Sequence, residues 1–452
     1  MKRRHSVRVL AVLAVLALAA SCGGRDDDSD STGGGGGGGG ESGDSALIDT
    51  TDCPDTQTAG LEGDTIKLVS SFPQSGLTAA FSQISRGYKS YFEMVNEEGG
   101  VEVGGKKYKI EIEDKDDEYN PGKTATNIEE LVGSEGDKAF AVFNVIGTAN
   151  NLAIRDLLGE LCVPNVFVGT GSPAWANTDD FPWLLGSTTI SYALEAQAFA
   201  NLLKEQKPDA KVAMLLQDDD FGRGYEDSFK AAIEDTDIEI VGTERYAPGA
   251  QEVGSQITSL ASSDADAFFN GGTLLACPAA LTAVSQTDWK PITYVSGTCI
   301  SKSLMGLAGP AAEDVYSVGN VMDPFDPQWA EEDEMKLYRE QVAKYQPEAD
   351  LDNGIVAYGW TQGALLVEAL KAVDGDLTRL SLMESVRNMD GVEAGLLLPD
   401  ISVTTGPDDP FLAETVQLVQ YDSAKKYFDL IGDHISFEGE LTDVTPEDLI
   451  KG

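Results

Sequence analysis

Residues 64–105 read DTIKLVSSFPQSGLTAAFSQISRGYKSYFEMVNEEGGVEVGG. Ile66 to Ser70 is a short apolar run that closes on small residues, the pattern of a buried parallel strand. Phe72 to Thr78 follows with Pro, Ser and Gly, and so predicts a loop. From Ala80 to Val95, Phe81, Ile84, Tyr88, Tyr91, Phe92 and Val95 recur every three or four residues, which predicts a helix with one apolar stripe. Gly99-Gly100 stops it. Strand, polar loop and helix in this order form a βα unit, and open α/β sheets bind ligands in loops at the carboxyl ends of their strands.

With the following VGGKKYKIEIEDKDDEYNP and the next helix, this stretch resembles the substrate-binding proteins of branched-chain amino acid ABC transporters. The resemblance runs from about Asp64 to the C-terminus. It implies a type 1 periplasmic-binding fold: α/β, two lobes, each a mostly parallel sheet flanked by helices, with the cleft at the hinge. The first lobe is expected at 64–185 and 321–400, the second at 186–320, and a C-terminal crossing and hairpin at 401–452.

Length agrees with two lobes, because 452 residues exceed what one core usually supports. Asp and Glu number 76 against 32 Lys and Arg, a formal charge of −44 that repels nucleic acid and anionic lipid. Only His5 and His434 are present, which excludes a histidine metal cluster and leaves a Ser/His/Asp triad dependent on His434. GxSxG, P-loop, HExxH and paired CxxC motifs are missing. Neither an enzyme nor a cofactor is expected.

Met1 to Ser21 has a basic start and an apolar run from Val9 to Ala20, too short to span a bilayer and zoned like a secretory signal. Ala19-Ala20-Ser21-Cys22 is similar to a bacterial lipobox, which implies lipidation of Cys22; the other reading is a plain signal with an incidental cysteine. Residues 22–63 read as a linker whose glycine-rich part, with eight consecutive glycines, cannot bury apolar area.

Further along, Asn120-Pro121 starts a helix through Val132, and strands at Lys138–Ile146 and Val163–Val168 end in Gly147-Thr148-Ala149-Asn150 and Gly169-Thr170-Gly171-Ser172-Pro173. Small residues there leave backbone N–H groups accessible, so a carboxylate fits. Asp218 to Gly224 (DDDFGRG) follows the strand Lys211–Gln217 and is similar to the family's loop that closes an aromatic ring over the ligand. Calcium is the alternative for the triple Asp, but the Gly and Glu spacing of an EF-hand loop is missing.

Four cysteines remain after Cys22, which suggests two disulfides in an exported chain and permits three pairings. Cys277 and Cys299 each follow a second-lobe strand at the same edge and are paired here, leaving Cys53 with Cys162.

The resemblance places carboxylate-binding positions near Thr148, Gly169 and Gly171, with Thr170 and Ser172 as neighbouring donors, Phe81 against the ligand's side chain and Phe221 as the aromatic lid. Thr273 stands where the family commonly has Tyr, and Thr298 where it has an acid for the ligand's ammonium group. Either Asp219 or Asp220 supplies that acid, or the ligand carries no ammonium, since an unpaired buried ammonium is costly. The expectation is a lipid-anchored receptor on the outer face of the cytoplasmic membrane that passes an amino acid, amide or small carboxylate to an ABC permease. A sensory module acting through a membrane partner and an extracellular hydrolase are the alternatives.

Overall fold

The computed structural model describes residues 48–451. The signal, Cys22 and the glycine run lie outside the described residues. Two seven-stranded sheets organise the chain. The first contains β1 (Leu61–Glu62), β2 (Thr65–Phe72), β3 (Val101–Val103), β4 (Lys106–Asp116), β5 (Ala141–Phe143), β6 (Asn165–Val168) and β7 (Leu184–Gly186). Its order is β3-β4-β2-β5-β6-β7; β2 pairs in parallel with β4 and β5, and β3 and β1 add antiparallel edges. The second holds β8 (Lys211–Gln217), β9 (Glu239–Tyr246), β10 (Ala267–Gly271), β11 (Ile292–Val295), β12 (Tyr316–Gly319), β13 (Thr415–Asp422) and β14 (Tyr427–Ser436). Its order is β14-β13-β12-β11-β10-β8-β9, parallel except for the terminal hairpin. The architecture is the two-lobed type 1 periplasmic-binding fold.

The apolar runs explain the central strands. Val142, Phe143, Val166, Phe167 and Val168 are fully buried, as strands covered on both faces require. Helix starts follow local chemistry. Asn120 accepts from the Lys123 backbone N–H at 3.1 Å, with Pro121 in the first helical position, so the helix Pro121–Val132 begins where its cap allows. Gly99 and Gly100 take φ of 103° and 92°, a left-handed region that ends the helix Gln83–Glu97. That helix packs on Gly354–Ala372 through two glycines: a Cβ on Gly87 would stand 2.1 Å from the Val356 carbonyl, and one on Gly359 2.0 Å from that of Ile84. Here the two backbones touch.

Several expectations change. Residues 48–63, read as linker, are packed on the first lobe: Ile48 is buried in its core, Arg379 binds Thr56 at 3.0 Å, and β1 pairs with β2. The DDDFGRG stretch is not a loop beyond Asp219. Asp219 caps the helix Asp220–Ala232, accepting from the Gly222 N–H at 3.3 Å, so Phe221 sits in its first turn. Thr148 likewise opens the helix Thr148–Glu160. Both disulfides take the expected pairing: Cys53–Cys162 has a Cα separation of 5.6 Å and Cys277–Cys299 one of 5.9 Å.

Three segments join the sheets. The first, 187–191, leaves β7 for the helix Tyr192–Gln206; the second leaves β12 at Gly319; the third runs into β13. They are tied to one another and to the first lobe. Asn320 Nδ2 donates to the Thr188 carbonyl at 2.9 Å, Gln362 Nε2 to Thr188 Oγ1 at 2.6 Å, and Val321 bridges Leu397.

Candidate functional site

Strand ends from both sheets and the first two crossings enclose a cleft of about 200 Å³. The first lobe contributes Phe81, Ile84, Ile146 and Gly169; the second contributes Gly297, Thr298 and Ile300; the crossings supply 188–190 and 319–323. On the hinge side the wall is apolar, formed by Met322, Trp329, Ile355, Val419, Phe428 and Leu430. Leu430 keeps 39% of its surface exposed although it is a large apolar residue.

The expected ligand residues do not all meet there. Phe81, Gly169 and Thr298 line the cleft. Thr148 and Thr170 are buried behind it and bond each other at 2.6 Å; Thr170 also bonds the Tyr192 hydroxyl at 2.6 Å. Their hydroxyls are already engaged. Gly171 and Ser172, with Thr170, border a separate void of about 20 Å³ against Phe411 and Leu412. Phe221 is buried edge-to-face on Tyr192, centroids 5.4 Å apart, and Thr273 donates to Gln217 Oε1 at 3.0 Å. Asp219 accepts from Gln217 at 2.6 Å and Asp220 pairs with Arg223 at 2.6 Å; neither lines the cleft. Among the described residues no group of three or more His, Cys, Asp or Glu is placed to hold a metal ion.

Sequence reasoning missed the acids that do line it. Glu195, in the first turn of Tyr192–Gln206, is 1% exposed and accepts from Tyr225 Oη at 2.6 Å, Tyr294 Oη at 3.0 Å and the Gly297 N–H at 2.9 Å. Burial lifts its pKa to about 7 against these three donors, which favour the charged form. The third bond holds the turn that carries Thr298. Asp323, on the second crossing, is pushed to about 6 by burial, with the Phe325 N–H opposing. A YALEAQ helix start and a VMDPFD crossing carry no pattern that marks a site, which is why neither acid stood out.

Burial, then the charge of Asp219 on the second lobe, holds the Tyr119 phenol well above its ordinary pKa. Phe81 stacks on the Tyr119 ring at 6.2 Å.

The sequence profile of the periplasmic binding proteins matches residues 65–426, which span both sheets and the crossings. This chain belongs to the periplasmic binding protein family. Within the family it is similar to the Leu/Ile/Val-binding protein homolog 3 of Brucella melitensis, 28% identical over 204 residues, 44% of this chain and 52% of that protein. The match thus spans about half the length of that curated relative. Among solved structures, a branched-chain amino acid ABC transporter protein from Thermus thermophilus with bound valine superposes with a TM-score of 0.72 at 18% identity, covering 83% of this chain and 97% of that one. A fatty acid ABC transporter substrate-binding protein from Thermomonospora curvata gives 0.70 at 20% identity, with 86% and 96% covered. At these identities the superpositions speak for the fold.

Proposed function

We propose that this chain is an extracytoplasmic solute receptor, anchored outside the cytoplasmic membrane through a lipid on Cys22, that captures a small molecule between its lobes and delivers it to an ABC permease. The observation that carries this reading is the cleft itself. It is walled by strand ends of both sheets and backed by the first two crossings, the arrangement in which hinge closure buries a ligand. Membership of the periplasmic binding family and the ligands for which its relatives are named, branched-chain amino acids and a fatty acid, support the same class. Among the described residues no helix is long and apolar enough to cross a membrane.

Thermal unfolding against amino acids, amides, amines and short to medium carboxylates tests binding. A true solute at 100 times its Kd adds about 2.7 kcal/mol and raises the midpoint by several degrees. A flat response across the panel contradicts the receptor reading. Anchoring is tested separately: Cys22→Ala should appear in the medium or remain unprocessed, and wild-type retention in the membrane contradicts the lipid.

A further inference from the structure

Asp323 stands at the hinge side of the cleft with one oxygen in use. Its Oδ1 accepts from the Phe325 N–H at 2.9 Å, and among the described residues Oδ2 has neither hydrogen bond nor ion pair. The cations nearby are committed elsewhere: Lys302 donates to Asp352 at 3.1 Å and lies 3.6 Å from the Phe325 ring centroid, while Arg339 donates to Asp352 at 2.9 Å. Asp326 is satisfied by its own turn, accepting from both nitrogens of Gln328. Among the described residues no Lys, Arg or His lines the cleft, and its ionisable lining groups are the carboxyls of Glu195, Asp323 and Asp326 and the Tyr358 phenol.

The remaining wall beside Asp323 is apolar, and Leu430 faces it with more exposed surface than a core leucine keeps. Asp323 is part-buried, so its Oδ2 remains open to a ligand in the cleft, and a positive group beside it gains a charge-assisted hydrogen bond. We propose that Asp323 is a ligand-binding residue, and that the hinge-side chamber receives an amphiphilic organic cation whose apolar body lies along Met322, Phe428 and Leu430 and whose protonated nitrogen pairs with Asp323 Oδ2. This inference rests on the receptor reading and narrows its ligand class. An alkanoate of the same length brings a like charge to three carboxyls, so the chamber selects against it.

The probes are octylamine, octanol and octanoate, kept below micelle-forming concentrations, titrated by calorimetry into the full folded chain. Octylamine should bind most tightly, octanol more weakly and octanoate weakest. Asp323→Asn should weaken octylamine about 10- to 100-fold, the loss expected for one charge-assisted bond, while leaving octanol within about threefold. Leu430→Gln alters a partly exposed residue without touching the acid and should weaken octylamine and octanol alike. The proposal is overturned if octylamine does not bind, if octanoate binds as tightly, or if Asp323→Asn binds octylamine like wild type. A leucine or amide titration that saturates while the amine does not leaves the receptor reading standing and removes only this inference.

Discussion

The Tyr358 hydroxyl lies 3.0 Å from Thr189 Oγ1, tying the helix Gly354–Ala372 of the first lobe to the first crossing. The same oxygen donates to Ser187 Oγ at 3.0 Å and accepts from Asn144 Nδ2 at 3.1 Å. One phenol therefore fixes the point where the chain leaves the first sheet.

Tyr358→Phe removes that oxygen and keeps the ring. Ser187, Thr189 and Asn144 lose a partner, and Ser187 and Asn144 are buried, so urea denaturation should show a loss of about 1 to 3 kcal/mol. An unchanged midpoint would mean that water replaces the phenol at no cost.

Glu195 predicts a pH dependence of stability. Its carboxyl titrates near 7 in the folded chain against 4.5 ordinarily, because burial penalises its charge. The folded state therefore holds the proton more tightly than the unfolded chain. The contribution is fully present below about pH 4.5 and is lost as pH rises through about 7, on the order of 3 kcal/mol in all. Glu195→Gln should flatten this part of the curve while Asp323 and Glu414, raised to about 6 and about 8, keep theirs. A variant whose stability falls with pH as steeply as wild type would show that Glu195 does not titrate in this range.

The disulfides differ in what they close. Cys277–Cys299 spans 22 residues and Cys53–Cys162 spans 109. Loop-closure entropy assigns about 3.4 kcal/mol to the first and about 4.8 kcal/mol to the second. Paired Cys→Ser variants, compared by guanidinium unfolding, should follow that order. Because Cys299 adjoins Thr298 in the cleft wall, the first pair should also weaken solute binding, whereas the second should not.

Much of the scaffold was legible in the sequence because its signals are local. Asn120-Pro121 marks a helix start by capping chemistry, and the buried runs Lys211–Gln217 and Val163–Val168 mark strands. Three consecutive aspartates look like loop sequence and so put Phe221 in a loop, whereas Asp219 caps a helix that carries Phe221 in its first turn. The site is less legible. Thr148 and Thr170 have the right chemistry for a ligand, but Tyr192, contributed by the next lobe's first helix, occupies their hydroxyls. Glu195, Asp323 and Leu430 come together only through the order of the crossings, which no spacing within the sequence encodes.

The central claim is that the solute enters the cleft shared by the two lobes. Trp329 lines it, whereas Trp175, Trp183 and Trp360 are buried and Trp289 donates to the Ala265 carbonyl at 2.7 Å beneath β10. Tryptophan emission should therefore report occupancy directly. Titrating wild type with the solute that most raises the thermal midpoint should give a saturable change in emission, and Trp329→Phe, verified by calorimetry to bind, should lose most of it. A Trp329→Phe protein that retains the full wild-type change would place the solute elsewhere and contradict the account.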